Sequence, residues 1–390
     1  MNEYLAIAQL LIHERSLGDR SFWAPYMGVL PTTEEVGPTF VWPESEFAML
    51  EGSPVVNATL SMRAKLRAEH EAVLASAAAR GAPLEPDVFT YEAWEWAFTM
   101  LFSRAIRLRS ATGGETLAMV PYADLINHSP YSAAYVDARK GERPLPWAER
   151  EDDEVILYAD RAYKKFEQLY ISYGQKSNAE LLLLYGFALD RNPFNSVALS
   201  VGVSSDDPLY EAKAQFASLA GRTAAATAFP LFLDRFPDEL FQFLRMACAT
   251  EKDLVAAAAV NAARTGVRPA SSSARALLSD ADYSRRLSND NEIEVLTTIA
   301  TACDAALDRY PTSEEEDTKL IDDRTMFNML SRNQRMAIRL RRTEKRLLKK
   351  TIETTGRRLA EIDGPVAAKP AEDFNRVVTF PGLKGGVEML

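Results

Sequence analysis

Cysteine and histidine are scarce in this chain. Two cysteines, Cys248 and Cys303, cannot build a disulfide framework or a Cys-rich zinc site. Three histidines (His13, His70 and His128) leave little material for a His-based metal centre, so no metal is expected. The chain reads as a reduced, intracellular, soluble protein. Long apolar runs are also missing: Leu254 to Val260 is seven residues where about 20 are needed to span a bilayer. The opening MNEYLAIAQLLIHERS has no basic n-region, cleavage site or Arg/Ser-rich transit character. An excess of basic charge is absent too. Lys plus Arg total 45 against 55 Asp plus Glu, a formal charge of −10, which excludes a generally basic nucleic-acid coat protein. No Walker loop, HExxH, GxSxG or CxxC occurs, and ATGGE lacks the Lys and Ser/Thr of a phosphate cradle. Ser129 adjoins His128 on a loop, where neighbours rarely face each other as Ser-His-Asp hydrolysis demands.

What remains is ordinary globular material. The 390 residues, 47% apolar and 26% charged, exclude wholesale disorder and suffice for two or three domains with real cores. Residues 1–20 carry Leu5, Ala8, Leu11 and Ile12 at helical spacing, and FWAPYMGVLPTTEEVGPTFVWP breaks that helix. Ser61 to Arg80 turns helical again, and Thr90 caps a third helix through YEAWEWAFTMLFSRAIRL. After a turn at Gly113-Gly114 the pattern changes to short strands: around Leu117–Val120, then YSAAYVDARK, DDEVILYADRAY and FEQLYISYG. Ser177 with Glu180 three residues on is a capping-box spacing that starts a helix, and strand SVALSVGVS follows. Beyond Pro208 helices are expected almost throughout, the last over roughly Asp317 to Leu359. Between Arg332 and Arg358 stand 11 basic and 2 acidic residues, net +9, leaving −19 for the rest. Such a run is either a solvated helix face or a docking surface for an acidic protein. Nucleic acid is disfavoured because no aromatic residues interleave with the charges.

Two segments carry polar side chains in apolar settings. The first is Ala123-Asp124-Leu125-Ile126-Asn127-His128-Ser129. The second is Tyr170-Ile171-Ser172-Tyr173-Gly174, continued by Ser177-Asn178-Ala179-Glu180 and Tyr185-Gly186-Phe187. Taken singly, the first could be a turn with a satisfied histidine and the second a set of core tyrosines with bonded tips.

In this order, about 45 residues apart, the pair resembles the second half of a SET domain, closest to the Rubisco large-subunit methyltransferase subfamily, which includes the actin-histidine methyltransferases. DLINHS-like and YxxYGxxSNAE…YGF-like segments are that family's two crossing pieces of a pseudoknot around the active site. FWAPYMGVLP, VWPESEFAMLEGSPV and WAFTMLFSRA resemble the subfamily's helical insert. DDPLYEAKAQFASLAG, FLRMACATEKDL, YPTSEEEDTKL and RMAIRLRRTEKRLL resemble its helical substrate-binding domain. The resemblance implies an α+β fold: a helical insert over 1–110, the C-terminal half of a SET (β-clip, pseudoknot) domain over 111–204, an all-α substrate-binding domain over 205–360 and a poorly ordered tail over 361–390. It implies protein-lysine methylation with S-adenosyl-L-methionine, on a folded protein docked through the C-terminal helices. Neither nucleic acid nor membrane takes part, a monomer is expected, and the stroma or cytoplasm is the implied compartment.

By the same resemblance Tyr173 is the catalytic tyrosine, and Arg104, Asn127, His128, Ser129, Tyr185, Gly186 and Phe187 surround the cofactor. Ile106, Asp124, Tyr135 and Ile171 shape the access channel for the target side chain. The histidine branch places a polar Asn where Ile106 falls and a Trp where Ala123 falls. An imidazole acceptor needs its second nitrogen held by a polar group, which Ile106 cannot supply, so lysine is favoured. Two departures qualify the match. The family's opening strands and GxG segment are not found, so the chain is either preceded by a further segment or is a catalytically silent binding homologue. Phe166 stands where the family usually has Gly, and a Phe resists positive φ, so that turn is expected to be rebuilt or loosened.

Overall fold

The computed structural model describes residues 2–81, 84–109, 114–140, 153–266 and 273–363. In the first part, caps and apolar spacing fix the helices. Asn2 accepts from the Tyr4 N–H to start α1 (Glu3–Leu17), which buries Ala8, Leu11 and Ile12. The Pro-rich stretch permits only single turns, α2 (Ala24–Met27), α3 (Thr33–Val36) and α4 (Glu44–Phe47). Then come α5 (Val55–Ala79) and α6 (Tyr91–Arg104), the latter capped by Thr90 on the Ala93 N–H as its sequence predicts. Trp94, Trp96, Phe98, Met100 and Leu101 of α6 bury against Phe40, Leu66 and the apolar face of α1.

The middle part is a set of short paired strands. β1 (Ile106–Arg109) pairs antiparallel with β2 (Glu115–Ala118). β3 (Asn127–His128) precedes the antiparallel hairpin of β4 (Tyr135–Lys140) and β5 (Asp153–Tyr158). β6 (Tyr170–Ile171) lies parallel to β3, and α7 (Asn178–Tyr185) follows from the Ser177/Glu180 capping box expected of it. The Gly113-Gly114 turn falls partly outside the described residues.

The last part is built of β7 (Ser196–Val201), α8 (Tyr210–Leu219), β8 (Thr227–Phe232), α9 (Asp238–Ala247), α10 (Glu251–Thr265), α11 (Ala274–Asp280), α12 (Asn289–Leu307), α13 (Glu314–Asp322), α14 (Arg324–Met329) and α15 (Arg332–Asp363). It is not helical throughout. TAFPLF forms β8, antiparallel to β7 across the expected 204/205 boundary, and Phe229 and Leu231 alternate into the core. Pro230 is tolerated because a two-stranded sheet leaves an edge free of ladder donors. The expected single helix from Asp317 is three. Asp323 accepts from the N–H groups of Thr325 and Met326 to restart the chain as α14, and extended Leu330 separates α15. From residue 364 the tail lies outside the described residues.

The basic run on α15 is only partly a solvated face: Arg346, Lys350, Arg357 and Arg358 are exposed, but others are buried or paired. Lys345 is 1% exposed; its ammonium meets Asp317 at 2.8 Å and donates to the carbonyls of Thr312 and Ser313. Arg341, 5% exposed, reaches Asp317 at 3.1 Å and the Met49 carbonyl at 3.0 Å. Arg339 and Arg342 share Asp190, and Arg332 donates to the carbonyls of Glu35 and Gly186. Sequence shows the charges but not the partners on the insert and α13, so α15 is a tie between the two ends of the chain. Among the described residues no helix is long and apolar enough to cross a membrane.

Candidate active site

The site begins where β3 and β6 run side by side. Asn127 faces Tyr170 and His128 faces Ile171 in register, and the Ser129 N–H donates to the Ile171 carbonyl at 3.0 Å. Ile171 is buried beneath this crossing. Gly174, at φ +100, turns the chain back immediately after Tyr173, a conformation that favours glycine. Two segments read separately in the sequence therefore interlace at one place.

Four rings assemble on this crossing. Tyr173 stacks on His128 (centroids 5.0 Å apart, planes 27°) and on Tyr185 (5.0 Å, 25°). Phe187 stands 6.1 Å from His128 and 6.2 Å from Tyr185. The Tyr173 backbone N–H donates to Nδ1 of His128 at 3.0 Å, which requires an unprotonated Nδ1. Burial pushes the imidazole down to about 4; a bond to the Ile171 backbone opposes this and the Lys176 charge adds to it. The Tyr173 hydroxyl donates to the Ile126 carbonyl at 2.7 Å and is pushed up to about 12, chiefly by burial. Burial raises the Tyr185 phenol as well. At neutral pH the cluster thus holds a neutral imidazole and two intact phenols.

A buried polar group lies beside it. Asp124 sits on a single 3₁₀ turn, Ala123–Leu125, after Tyr122 at φ +71. Arg104, at the end of α6, donates from Nη1 to the Asp124 carbonyl at 3.0 Å and lies 3.9 Å from its Oδ2. Tyr26 of α2 donates its phenol hydrogen to the same Oδ2. Burial raises the Asp124 carboxyl, while the Tyr26 bond and the Arg104 charge oppose the rise. Oδ1 of Asp124 and Nε of Arg104 are buried with no hydrogen-bond partner among the described residues. Tyr26 is absent from the residues the sequence singled out. It hides in FWAPYMGVLP as one more aromatic, and its partner is 98 positions away.

The remaining expected residues divide. Asn127 is exposed beside the crossing, and the Ser129 hydroxyl accepts from the Tyr131 N–H at 3.3 Å. Ile106 heads β1, two residues after Arg104, and is half-buried. Tyr135 lies on the β4–β5 hairpin, half exposed and stacked on Tyr158 at 4.8 Å; among the described residues no ring contact links it to the His128–Tyr173–Tyr185 stack. Gly186 has a packing reason to be glycine: it caps α7 at φ +72, and a Cβ there would stand 1.9 Å from the Val36 carbonyl oxygen. Asn178, fully buried, bonds to the backbone of Leu189 in both directions and to Asn192 and Asn195, so this residue of SNAE fastens the return loop. The turn at Phe166 is neither rebuilt nor opened: Phe166 itself adopts φ +66 with its ring almost wholly exposed, and the Glu167 N–H still closes on the Lys164 carbonyl.

Comparison with known proteins finds matches over most of the chain. Residues 204–348 match the Rubisco LSMT substrate-binding family. Actin-histidine N-methyltransferases of Homo sapiens and Rattus norvegicus are each 28% identical over 359 residues, 90% of this chain. The chain spans about half the length of these curated relatives (55%). Among solved structures, the SET domain of LSMT bound to MeLysine and AdoHcy superposes with a TM-score of 0.68 at 27% identity, over 92% of this chain and 76% of that one. Rubisco LSMT bound to AdoMet gives 0.67 at 27% identity, with the same coverage. The chain is thus similar in fold to the SET-domain protein LSMT and carries a match to the Rubisco LSMT substrate-binding family over 204–348.

Proposed function

We propose that this chain is an S-adenosylmethionine-dependent protein methyltransferase and that its acceptor is a lysine side chain of a folded protein. The observation that carries the reading is the stack His128–Tyr173–Tyr185 at the β3/β6 crossing, with the Tyr173 hydroxyl anchored on the Ile126 carbonyl. The ring cluster and the orphaned polar atoms of Arg104 and Asp124 fit a ligand that is both aromatic and zwitterionic. Arg104, Asn127, His128, Ser129, Tyr185, Gly186 and Phe187 would hold the donor, which supplies an electrophilic methyl group on a sulfonium.

The protein's own contribution is placement. Methyl transfer needs nitrogen, carbon and sulfur nearly in line, so orientation dominates the barrier. Tyr173 gives its hydrogen to Ile126, which leaves the oxygen lone pairs free to accept polarised C–H or amine N–H groups. His128 holds the Tyr173 backbone, and Tyr185 covers the other ring face. A lysine must be neutral to react, which costs about 4 kcal/mol in water near pH 7.4. An aromatic, water-poor pocket beside a sulfonium lowers that cost by disfavouring a second positive charge. Ile106, Asp124 and Ile171 would line the acceptor channel, with Tyr135 at its outer margin.

Solved neighbours that carry methyllysine support a lysine acceptor, as does the apolar Ile106. The long match to actin-histidine N-methyltransferases favours histidine as the second reading. The test has two stages. Calorimetry with S-adenosylmethionine on this chain should give a binding isotherm; none would leave a silent binding homologue. Mass spectrometry of a methylated substrate should then find the label on lysine, and label on histidine would reverse the acceptor assignment.

A further inference from the structure

We propose that Tyr26 is a positioning residue of this site: its phenol donates to one oxygen of the Asp124 carboxylate and so orients it, leaving Oδ1 free to receive an ammonium group. The proposal rests on the functional reading above only for the identity of that ammonium.

The two oxygens of Asp124 are unlike. Oδ2 takes the hydrogen of Tyr26 and has Arg104 Nη1 at 3.9 Å, whereas Oδ1 has no partner among the described residues although the side chain is fully buried. At 3.9 Å the guanidinium attracts the carboxylate but does not fix its rotation, since a charge-assisted hydrogen bond is about 1 Å shorter. The phenol supplies the missing direction. Three titratable or charged groups face Asp124 from separate elements: Tyr26 from α2, Arg104 from α6 and Tyr173 from the loop after β6. Of these only Tyr26 donates a hydrogen to the carboxylate. Its bond also favours the ionised form, which burial disfavours.

The approach of α2 is built for this contact. Tyr26 is 9% exposed on a four-residue helix with proline at its start, and the helix joins residues 98 apart in sequence. On the other side the backbone before Asp124 is held at φ +71 by Tyr122, whose ring is 84% exposed and contributes no core packing. Strain of this kind persists where surrounding structure imposes it, and it lies directly before the turn that carries Asp124. A buried carboxylate oxygen without a donor is unfavourable until a ligand supplies one. An ammonium group does so, either on the amino-acid part of the donor or on the target side chain.

The test is a titration of Asp124 itself. Carbon-13 label in the aspartate carboxyls, with the resonance identified by its loss in Asp124→Asn, reports the midpoint directly. Tyr26→Phe should raise that midpoint by about one pH unit. The acid limb of donor binding or of methyl transfer should move upward with it, the first if the donor brings the ammonium and the second if the target does. An unchanged Asp124 midpoint in a folded Tyr26→Phe protein overturns the proposal, whether or not methyl transfer occurs. A raised midpoint in a chain whose wild type transfers no methyl overturns the functional reading and leaves the positioning role standing. Should Tyr26→Phe fail to fold, 3-fluorotyrosine at position 26, an isosteric and stronger donor, should lower the midpoint; no movement there overturns the proposal.

Discussion

The Tyr173 backbone N–H and the His128 imidazole, 45 positions apart, meet at 3.0 Å with their rings stacked. That single contact closes the crossing of β3 and β6 and makes the protonation state of one histidine a condition for the site. His128 is depressed to about 4, so its folded value lies below its unfolded one. Its contribution to stability is therefore complete above about pH 6.5 and is lost as pH falls toward 4. Thermal melts should show a midpoint that declines over this interval, by the equivalent of about 1–2 kcal/mol after solvent screening. His128→Gln keeps an acceptor for the Tyr173 N–H and should flatten the decline. An equally steep acid limb in that variant would mean that other groups cause it.

Tyr173→Phe removes the hydroxyl that donates to Ile126 and leaves the ring stack in place. The fold should survive with a loss of about 1 kcal/mol, the usual net worth of one such bond. Methyl transfer should fall by roughly 100-fold, because a small error in aligning nitrogen and methyl is amplified in the rate. Single-turnover kinetics with circular dichroism on the same sample checks both. Unimpaired transfer would remove Tyr173 from the reaction.

Glu344 on α15 behaves oppositely to His128. Its carboxyl is buried and accepts from the Ser53 hydroxyl at 2.9 Å and the Tyr310 hydroxyl at 3.0 Å. No cation lies within salt-bridge distance among the described residues, since neighbouring Lys345 is spent on Asp317, Thr312 and Ser313. Burial pushes Glu344 up to about 7, against the two hydroxyl bonds and the Lys345 charge. A folded value above the unfolded one means stability present at acid pH and lost as pH rises through about 7. Glu344→Gln should abolish that fall, worth about 2 kcal/mol across the interval, in urea titrations from pH 5 to 8. A wild-type curve that does not fall relative to the variant would show the carboxyl ionised throughout.

Much of the site was legible because its chemistry is local in sequence. Asn127-His128-Ser129 and Tyr170 to Gly174 are each contiguous, and the Ser177/Glu180 capping box marks the start of α7 from four residues alone. What stayed hidden depends on pairing across distance. Tyr26 matters only through Asp124, and nothing near either residue announces the other. The charges of Arg341 and Lys345 looked solvent-facing because Asp317 and Met49, which receive them, lie in other segments. β8 was masked by Pro230, a residue that argues against a strand until its edge position is known. The stacking of Tyr135 on Tyr158 likewise depends on the β4–β5 register, which pairs residues 23 positions apart.

Phe166 offers a test of how firmly this loop is held. Its φ of +66 is costly for a residue with a bulky side chain, about 1 kcal/mol or more relative to glycine. The ring gives little in return, since it is 94% exposed and among the described residues its one ring contact is with the Lys165 ammonium at 4.9 Å. What imposes the conformation is the surrounding turn: the Glu167 N–H donates to the Lys164 carbonyl at 3.0 Å, and the Glu167 carboxylate takes both the Lys164 N–H and the Arg161 guanidinium. Phe166→Gly should therefore stabilise the protein by about 1 kcal/mol, because the strain is relieved and little apolar burial is lost. Phe166→Val should do the reverse, a β-branched residue being still less tolerant of positive φ. Urea titrations of the two variants against wild type measure the difference. A glycine variant less stable than wild type would mean that the exposed ring makes contacts beyond Lys165.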